Sequence, residues 1–355
     1  MSRSTEIATD DPVPVAPLAR WLDAHVDEVS AASGTLRADR IAGGHSNLTY
    51  RIVDDAGAAW ALRRPPMGGV LATAHDMSRE WRFISALHPT PVPVARPVAY
   101  CADTDVIGAE FYVMGYVEGT VLGDDAAGAA YPEGSRHAAG LATVDVLADL
   151  HAVDPDEAGL GDLHRPGSYL QRQLKRWHTQ AHASAVEDLT GIDVVHDLLV
   201  AAAPEAATTR IAHGDFRAGN LMYGPDGEVR AVLDWELATL GDPLADLGWL
   251  LMSWTRPGDA VPAGTNSPSA QPGFPERSEL VARYVERTGT PLADDVVDYY
   301  VAFARWRSAC IGAGVYSRYV AGHMGPGAEQ GAATATRLEV LQAQVEEARR
   351  MLGGI

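Results

Sequence analysis

The chain has 355 residues, enough for one large domain or two lobes, and 46% of them are hydrophobic, so a substantial core is expected. Its 28 basic and 47 acidic residues give a formal net charge of −19, which opposes binding to nucleic acid and to anionic membranes. We therefore expect a globular protein that acts on a small molecule and binds neither nucleic acid nor membrane. An acidic surface suits a cationic substrate, although acidity also serves solubility alone.

The cysteine spacing and the N-terminal residues narrow the class of protein further. The two cysteines, Cys101 and Cys310, have no paired spacing, so they indicate neither a disulfide framework nor a zinc site. The N-terminal residues lack the apolar run of a signal peptide, and no apolar stretch of membrane-spanning length follows. The cytoplasm is therefore the expected location, and the sequence leaves the oligomeric state open.

The first third of the chain predicts a tail followed by a mixed helix and strand region. Residues 1–17 are polar and contain prolines, so we expect a flexible tail. Apolar residues at helical spacing predict a helix over 18–29. Two strands are predicted at 40–53 and 58–63, and a further helix at 76–87.

The rest of the chain is mainly helical. Residues 110–119 predict a buried strand that runs into a glycine-bearing connection. Beyond Thr120, helical patterns occupy six segments, which are 140–151, 169–185, 194–203, 279–288, 294–320 and 332–352.

The most informative segment lies between the third and fourth of these helices. It reads IAHGDFRAGNLMY over 211–223 and AVLDWE over 231–236, and it spaces Asp215, Asn220 and Asp234 like a kinase catalytic loop and metal-binding strand. Transfer of a γ-phosphoryl group from ATP depends mainly on positioning and on neutralising charge. Asp215 is the expected catalytic base that accepts the hydroxyl proton, while Asn220 and Asp234 offer the hard oxygen ligands that Mg²⁺ prefers.

Two neighbouring features support this interpretation. Arg217 lies two residues after Asp215, where it is expected to neutralise charge near the γ-phosphate. With the strong turn signal at 224–227, residues 211–212 and 221–223 are predicted to lead into one small hairpin that presents both aspartates at one edge. Each fragment alone would be interpreted as a turn with a capping aspartate, but their joint spacing favours a kinase-like site.

The motif of His-Gly-Asp, four residues, Asn and then a metal-binding Asp resembles the aminoglycoside phosphotransferase and choline kinase superfamily. Within it, the chain is most similar to the kinase-like domain fused to some acyl-CoA dehydrogenases and to its free-standing bacterial relatives. Three further segments carry this likeness, namely GGHSNLTY at 43–50, GDPLADLG at 241–248 and WRSACIGAGVYSR at 306–318. The resemblance runs from about Leu36 to the C-terminus and implies an α+β, two-lobed protein-kinase-like fold. The small β-rich N-lobe is then expected at 18–117 and the larger, mainly helical C-lobe at 118–355.

The resemblance also implies nucleotide-binding residues in the N-lobe. Ser46 and Asn47 lie in a glycine-bearing loop that kinases fold over the phosphates. Arg63 occupies the position at which most kinases carry a lysine, and Glu80 is its expected ion-pair partner. Arg64 is the alternative phosphate contact, in which case Arg63 is a strand-edge charge.

Two further roles follow from the resemblance. The main chain near Tyr116 and Val117 is expected to bind adenine, with Met114 facing the adenine pocket. Asp246 is expected to support the catalytic loop through hydrogen bonds to its backbone. The cofactors implied are therefore ATP and Mg²⁺.

The acceptor is less clearly indicated than the donor. The likeness implies a hydroxyacyl thioester or related hydroxy acid, and Glu236, Arg307, Tyr316 and Arg318 are the candidate substrate residues. An aminoglycoside kinase is the competing enzyme and predicts carboxylates around the acceptor. A nucleotide-binding pseudokinase scaffold is the third hypothesis, favoured only by the arginine in the lysine position.

Overall fold

The computed structural model describes residues 12–29, 36–41, 47–66, 76–205, 208–259, 266–321 and 330–353. The chain divides into two compact units. Unit 1 comprises Met1–Pro89 and Val94–Val117, and unit 2 comprises Thr90–Pro93 and Glu118–Ile355.

Unit 1 is built on an antiparallel sheet with two helices. Five strands pair in the order β1-β2-β3-β5-β4, and their bounds are β1 Arg37–Arg40, β2 Leu48–Val53, β3 Ala59–Arg64, β4 Pro97–Cys101 and β5 Phe111–Gly115. The helices are α1 Val15–His25 and α2 Met77–Leu87. Helix α1 thus begins three residues before the predicted Leu18, and Val13 before it is buried, so residues 13–17 do not belong to the expected tail. Residues 1–11 lie outside the described ranges.

Alternation along β2 explains how the core of unit 1 forms. Buried and half-buried residues alternate over the whole strand, as expected for a sheet with one face against the core. The buried face packs in one apolar cluster with Leu18 and Leu22 of α1 and with Phe111 of β5. Burying a side chain of this size stabilises the fold by about 1.5–3 kcal/mol.

Helix α2 begins at a well-formed cap and buries one acid. The Asp76 carboxylate accepts a hydrogen bond from the Arg79 backbone N–H at 2.9 Å, which satisfies an amide that the first turn leaves unpaired. The buried residues of the helix are Met77, Glu80, Phe83, Ile84 and Leu87. Glu80 is the charged member of this set, and a charge is buried only where partners satisfy it.

Unit 2 is mainly helical and contains short strands. Its helices are α3 Asp125–Ala130, α4 Glu133–Ala152, α5 Tyr169–His182, α6 Thr190–Ala201, α7 Leu244–Ser253, α8 Arg277–Thr288, α9 Asp294–Val320 and α10 Gln330–Leu352. Its strands are β6 Thr120–Val121, β7 Arg210–Ala212, β8 Leu221–Tyr223, β9 Val229–Val232 and β10 Thr239–Gly241. The β-rich first unit and the mainly helical second unit confirm the expected α+β fold class.

The strands of unit 2 form two small antiparallel sheets. Strands β8 and β9 make the hairpin predicted by the turn at 224–227, with Leu221 opposite Val232, and β6 pairs with β8. Strand β7 was expected in the same hairpin, but it pairs instead with β10, with Ala212 opposite Thr239. The loop between β7 and β8 therefore joins two sheets.

The core of unit 2 lies among α5, α6, α9 and α10. Trp177, Phe303 and Trp306 are buried in one apolar cluster there. The Trp306 indole donates a hydrogen bond to the Ile192 carbonyl at 3.0 Å, which satisfies the only polar atom of that side chain. None of the helices in the described ranges is both long enough and apolar enough to cross a bilayer.

Candidate active site

Asp215 is held by two side chains on the loop between β7 and β8. One carboxylate oxygen accepts a hydrogen bond from the Trp249 indole at 2.6 Å, and the other accepts one from the Asn220 amide nitrogen at 2.8 Å. The Arg217 Nε lies 3.5 Å from the first of these oxygens, and 24% of the Asp215 side chain is exposed. The carboxylate is therefore oriented by fixed donors yet open on one side to solvent.

The hydrogen bonds of Asn220 determine which of its side-chain atoms could ligate a metal. It lies at the end of a short 3₁₀ turn, Ala218–Asn220, and is buried. Its amide nitrogen donates both to the Asp215 carboxylate and to the Asp215 backbone carbonyl at 2.8 Å. Because the nitrogen is committed to these bonds, the amide oxygen is the atom left to ligate.

His213 joins the two acidic segments of the motif. Its Nε2 donates to the Leu233 carbonyl at 2.8 Å, and its Nδ1 accepts from the Asp215 backbone N–H at 3.2 Å. These partners define a neutral ring with the proton on Nε2. Since Leu233 directly precedes Asp234, the imidazole fixes the segment that carries Asp234 against the loop that carries Asp215. The Leu233 backbone N–H also donates to the Asn220 carbonyl at 2.8 Å.

Asp246 supports the loop from the buried first turn of α7, as the resemblance led us to expect. Its carboxylate accepts hydrogen bonds from the backbone N–H of His213 at 2.6 Å and of Gly214 at 2.9 Å. Burial alone would raise the pKa of this carboxyl, but His151 beside it and the Gly214 backbone N–H lower it by more, so the net shift is downward. The fold therefore favours an ionised Asp246.

Gly214 occupies a position that requires glycine. Its φ of +85° lies in the left-handed region, and a Cβ there would approach the Leu237 carbonyl oxygen to 2.6 Å. Backbone strain of a different kind occurs at Asp234, whose φ of +63° is the only positive value among non-glycine residues in the described ranges. Aspartate tolerates this conformation better than most side chains, and such strain is concentrated at functional positions.

The sequence led us to expect Arg307 at the acceptor, but the structure places it behind the catalytic loop. Only 4% of the residue is exposed, and its guanidinium donates to the Gly214 carbonyl at 2.6 Å. The guanidinium carbon lies 5.1 Å from the ring centroid of Trp177 and 4.6 Å from that of Trp249. Both indole faces attract the cation, so Arg307 holds the loop from within the core.

The other candidate acceptor residues are spread over two elements. Tyr316 packs, partly buried, against the apolar cluster of unit 2, and Arg318 is exposed near the end of α9. Eleven residues separate Arg318 from Arg307, or about 16 Å along a helix axis. Glu236 is half-buried in the 3₁₀ turn Trp235–Leu237 that directly follows Asp234. The structure thus places Glu236 close to Asp234 in the chain, while Arg307 and Arg318 lie far apart on α9.

The expected ion pair of unit 1 is present. Arg63 Nε lies 2.8 Å from the Glu80 carboxylate, which is almost fully buried. The same carboxylate accepts hydrogen bonds from the Tyr112 hydroxyl at 2.8 Å and from the Asn47 amide at 2.6 Å. Charge pairing and two further donors together offset the cost of burying Glu80.

This network corrects the expectation for Asn47 and decides between the two arginines. Asn47 was expected beside the nucleotide phosphates, but its side chain is buried and holds Glu80. Arg64 is fully buried, and its guanidinium donates to the Tyr50 hydroxyl at 3.2 Å and lies over that ring. The alternative in which Arg64 binds phosphate is therefore disfavoured. Ser46 lies outside the described residues.

The segment expected to bind adenine ends unit 1. Met114 is a half-buried residue of β5, opposite Ala61 of β3. Tyr116 and Val117 follow β5 and are also half-buried, and the Arg51 guanidinium lies over the Tyr116 ring at 5.1 Å. Main-chain recognition leaves no side-chain pattern, so the adenine assignment stays a prediction.

Sequence reasoning missed two tryptophans of unit 2 that contact the candidate site. Trp249 binds Asp215 directly, and Trp177 stacks on Arg307. Trp249 directly follows the segment 241–248 that carries the family likeness, so its position was the available signal. Trp177 is 72 residues from Trp249 in the chain, and helical periodicity alone marks it only as a core residue.

The donor set fits a magnesium ion. Asp234 supplies an anionic carboxylate and Asn220 a neutral amide oxygen, both hard ligands, and the Asn220 nitrogen is already turned toward Asp215. Two hydrogen bonds hold the two ligand segments together, one from the His213 ring to the Leu233 carbonyl and one from the Leu233 N–H to the Asn220 carbonyl. The arrangement can hold a cation beside a partly open carboxylate, which is the chemistry of phosphoryl transfer.

Known proteins match this chain in sequence and in fold. The model of the phosphotransferase enzyme family matches residues 37–280. The human protein named acyl-CoA dehydrogenase family member 11 is 32% identical over 309 residues, which cover 86% of this chain and 39% of the relative. The chain therefore spans about two fifths of that relative's length.

Solved structures show the same fold. A Ralstonia eutropha protein described as a candidate aminoglycoside phosphotransferase is 33% identical, with a TM-score of 0.77 over 96% of this chain and 99% of that one. A GDP and kanamycin complex of the aminoglycoside phosphotransferase APH(2")-IIIa is 14% identical, with a TM-score of 0.60 over 92% and 97% of the two chains. By its match to the family model over most of its length, this chain belongs to the phosphotransferase enzyme family.

Proposed function

We propose that this small-molecule kinase transfers the γ-phosphoryl group of ATP to a hydroxyl group, with Asp215 as the catalytic base. The observation that carries the proposal is the environment of the Asp215 carboxylate. Trp249 and Asn220 each donate to one of its oxygens, while a quarter of the side chain stays exposed. A carboxylate oxygen has two lone pairs, so each retains capacity to accept the proton of an incoming hydroxyl.

Charge neutralisation is divided among several groups. Asn220 and Asp234 would hold Mg²⁺, which when bound offsets the negative charge of the phosphates. Arg217, whose side chain is 41% exposed beside Asp215, supplies positive charge to the transferred group. Arg63 does the same for the nucleotide phosphates, and Glu80 fixes its guanidinium.

Nucleotide use is supported by the solved relative that was crystallised with GDP. We propose ATP as the donor for this chain. Because the adenine contacts expected near Tyr116 and Val117 are made by the main chain, ATP and GTP should be compared directly.

We propose a hydroxyacyl thioester or hydroxy acid as the acceptor. Support comes from the relatives named as acyl-CoA dehydrogenases, which this chain resembles over 39% of the human protein's length. An aminoglycoside acceptor is the second candidate, supported by the kanamycin complex of a structural relative and by the net charge of −19. The burial of Arg307 removes one of the basic residues that favoured an anionic acceptor.

The test separates the donor chemistry from the acceptor. Asp215→Ala should reduce phosphoryl transfer by at least about 100-fold, because general base catalysis contributes on that scale. ATP binding, measured by calorimetry with Mg²⁺, should stay close to that of the unaltered protein. Turnover that survives this substitution would remove Asp215 from the proposed role.

The acceptor is identified by an ATP-consumption screen of hydroxyacyl-CoAs, hydroxy acids, aminoglycosides and choline-like amines. Selective turnover of the thioesters or hydroxy acids supports the leading proposal, and turnover of aminoglycosides supports the second. Tight Mg·ATP binding with no turnover across the whole panel would favour the pseudokinase scaffold.

A further inference from the structure

Three side chains with metal-ligating atoms converge on α5 and α6, apart from the phosphoryl-transfer residues. His178 and His182 belong to α5, and Asp193 belongs to α6. The Nε2 atoms of His178 and His182 lie 2.8 Å and 2.7 Å from the same carboxylate oxygen of Asp193. Their candidate ligand atoms all lie within 4.8 Å of one another.

The spacing of the two histidines explains why they meet. Residues four apart on a helix project from the same face, one turn above the other, so His178 and His182 form a natural pair. Their ring centroids are 4.5 Å apart. Asp193 approaches from the first turn of α6, since the connection between the two helices brings that turn back toward the end of α5.

We propose that His178, His182 and Asp193 bind a divalent transition-metal ion of the Zn²⁺ class. Two imidazole nitrogens and one carboxylate oxygen are a ligand set that Zn²⁺ accepts, with water completing a four-coordinate site. Nitrogen ligands also distinguish this site from the oxygen-only set of Asn220 and Asp234, which suits Mg²⁺.

The distances require only a small adjustment. Metal bonds of 2.0–2.1 Å in a tetrahedral site place neighbouring ligand atoms about 3.3 Å apart. The nitrogen–oxygen separations of 2.8 Å and 2.7 Å are hydrogen-bond lengths, so the ligands must move apart by about half an ångström. The side chains are 30%, 46% and 43% exposed for His178, His182 and Asp193, which leaves room for that movement and for entry of the ion.

A further histidine fixes the orientation of the pair. The His196 ring stacks on His178 with centroids 4.1 Å apart and an interplanar angle of 20°. His196 Nδ1 is in turn 3.1 Å from the Asp197 carboxylate. His196 is therefore a positioning residue for the ligand, and it reduces the entropy lost when the metal binds.

Charge around the cluster also favours a cation. The chain carries a net charge of −19, which attracts a cation to the protein surface.

The experiment measures Zn²⁺ binding to the tag-free full chain, with Mg²⁺ present in excess so that the oxygen site is occupied. The unaltered protein should bind one Zn²⁺ equivalent that His182→Gln and Asp193→Asn each weaken by at least about tenfold, because each removes one ligand. Co²⁺ in place of Zn²⁺ should give the intense visible absorption of a tetrahedral site, and both variants should lose it.

His137→Gln is the matched control. His137 is another exposed histidine with a carboxylate partner, Glu279 at 2.9 Å, but it belongs to α4. This variant should bind Zn²⁺ like the unaltered protein. Zn²⁺ should also raise the Tm of the unaltered protein and of His137→Gln, because an ion that bridges α5 and α6 stabilises only the folded state.

Two results would overturn the proposal. One is Zn²⁺ affinity and Co²⁺ absorption that are the same in His182→Gln, Asp193→Asn and the unaltered protein. The other is the absence of any Zn²⁺ equivalent that competes with a micromolar chelator, in which case the three side chains form only a surface hydrogen-bond cluster. Neither outcome depends on phosphoryl transfer.

Discussion

Two buried aspartates four residues apart in the chain should respond to different extents to the same substitution. Asp246 and Asp242 are both nearly inaccessible to solvent. Asp246 accepts two backbone N–H bonds from the catalytic loop, and the net shift of its pKa is downward. Burial raises the pKa of Asp242, although the Tyr300 hydroxyl donates to it at 2.6 Å and the Leu244 backbone N–H at 3.0 Å.

The expected loss can be worked out from these bonds. A hydrogen bond to a charged group contributes about 1.5–3 kcal/mol. In Asp246→Asn, one side-chain oxygen remains to accept from the two backbone N–H groups, and the new NH₂ group faces the other N–H and cannot accept from it. We therefore expect Asp246→Asn to lower the free energy of unfolding by about 2–4 kcal/mol. In a unit of this size that lowers the Tm by about 4–16 °C. Asp242→Asn should cost less than half as much, because it removes a charge that burial already disfavours.

The pH dependence has a defined sign for each residue. Asp246 has a lowered pKa in the folded state, so its contribution to stability is present above the unfolded pKa of about 3.9 and is lost as the pH falls through the lower folded value. Asp242 has a raised folded pKa, so its contribution is present below about 3.9 and is lost as the pH rises through the folded value. Asp246→Asn should therefore flatten the acid limb of the stability profile.

Urea unfolding followed by fluorescence gives the free energies, and ATP consumption gives kcat. Asp246→Asn should also reduce kcat by about 100-fold, because a small displacement of Asp215 is sufficient for such a loss. Asp242→Asn should leave kcat within a few-fold of the unaltered enzyme. The reasoning fails if Asp242→Asn is the more destabilising change, or if Asp246→Asn keeps full turnover.

Three further substitutions probe the catalytic geometry. Gly214→Ala should reduce both the Tm and kcat, because the φ of this residue is +85° and the new Cβ meets the Leu237 carbonyl oxygen. A variant that keeps both values would contradict this prediction. Trp249→Phe removes the donor at 2.6 Å from Asp215, so kcat should fall about tenfold with ATP affinity retained, whereas an unchanged kcat would show that the indole does not orient the base. Glu80→Gln should weaken Mg·ATP binding measured by calorimetry, because the arginine beside it loses its anionic partner, and unchanged affinity would argue against that assignment.

The sequence predicted best those elements whose pattern repeats over many neighbouring residues. Helix α9 has the predicted bounds, Asp294 to Val320, because its apolar residues recur over many turns. The short strand β10 and helix α7 were not predicted, since three residues carry no periodic pattern and α7 is apolar on nearly all sides. The expected kinase-like fold is confirmed, although the strand pairing of β7 was wrong.

For the site, the sequence predicted the residues of the acidic motif but not the side chains that support them. Asp215, Asn220 and Asp234 lie together because one short loop and one hairpin carry them. Arg307 comes from helix α9, which begins at Asp294, far from the loop in the chain, so its place behind Gly214 depends on tertiary packing. Asn47 likewise holds Glu80 through a contact that spans 33 residues. The catalytic and ligand roles themselves stay predictions until they are measured.

The bond between His213 and the Leu233 carbonyl restricts how this enzyme can be switched off. Since one ring bonds to both segments, the loop that carries Asp215 is linked directly to the segment that carries Asp234. Withdrawing Asp234 alone would break that bond inside a buried environment, which costs about 1–3 kcal/mol. Inhibition of this chain is therefore expected to act by excluding a substrate rather than by unfolding the loop that carries Asp215. The ¹⁵N shifts of the His213 ring report whether its hydrogen bonds, and hence the loop, are intact.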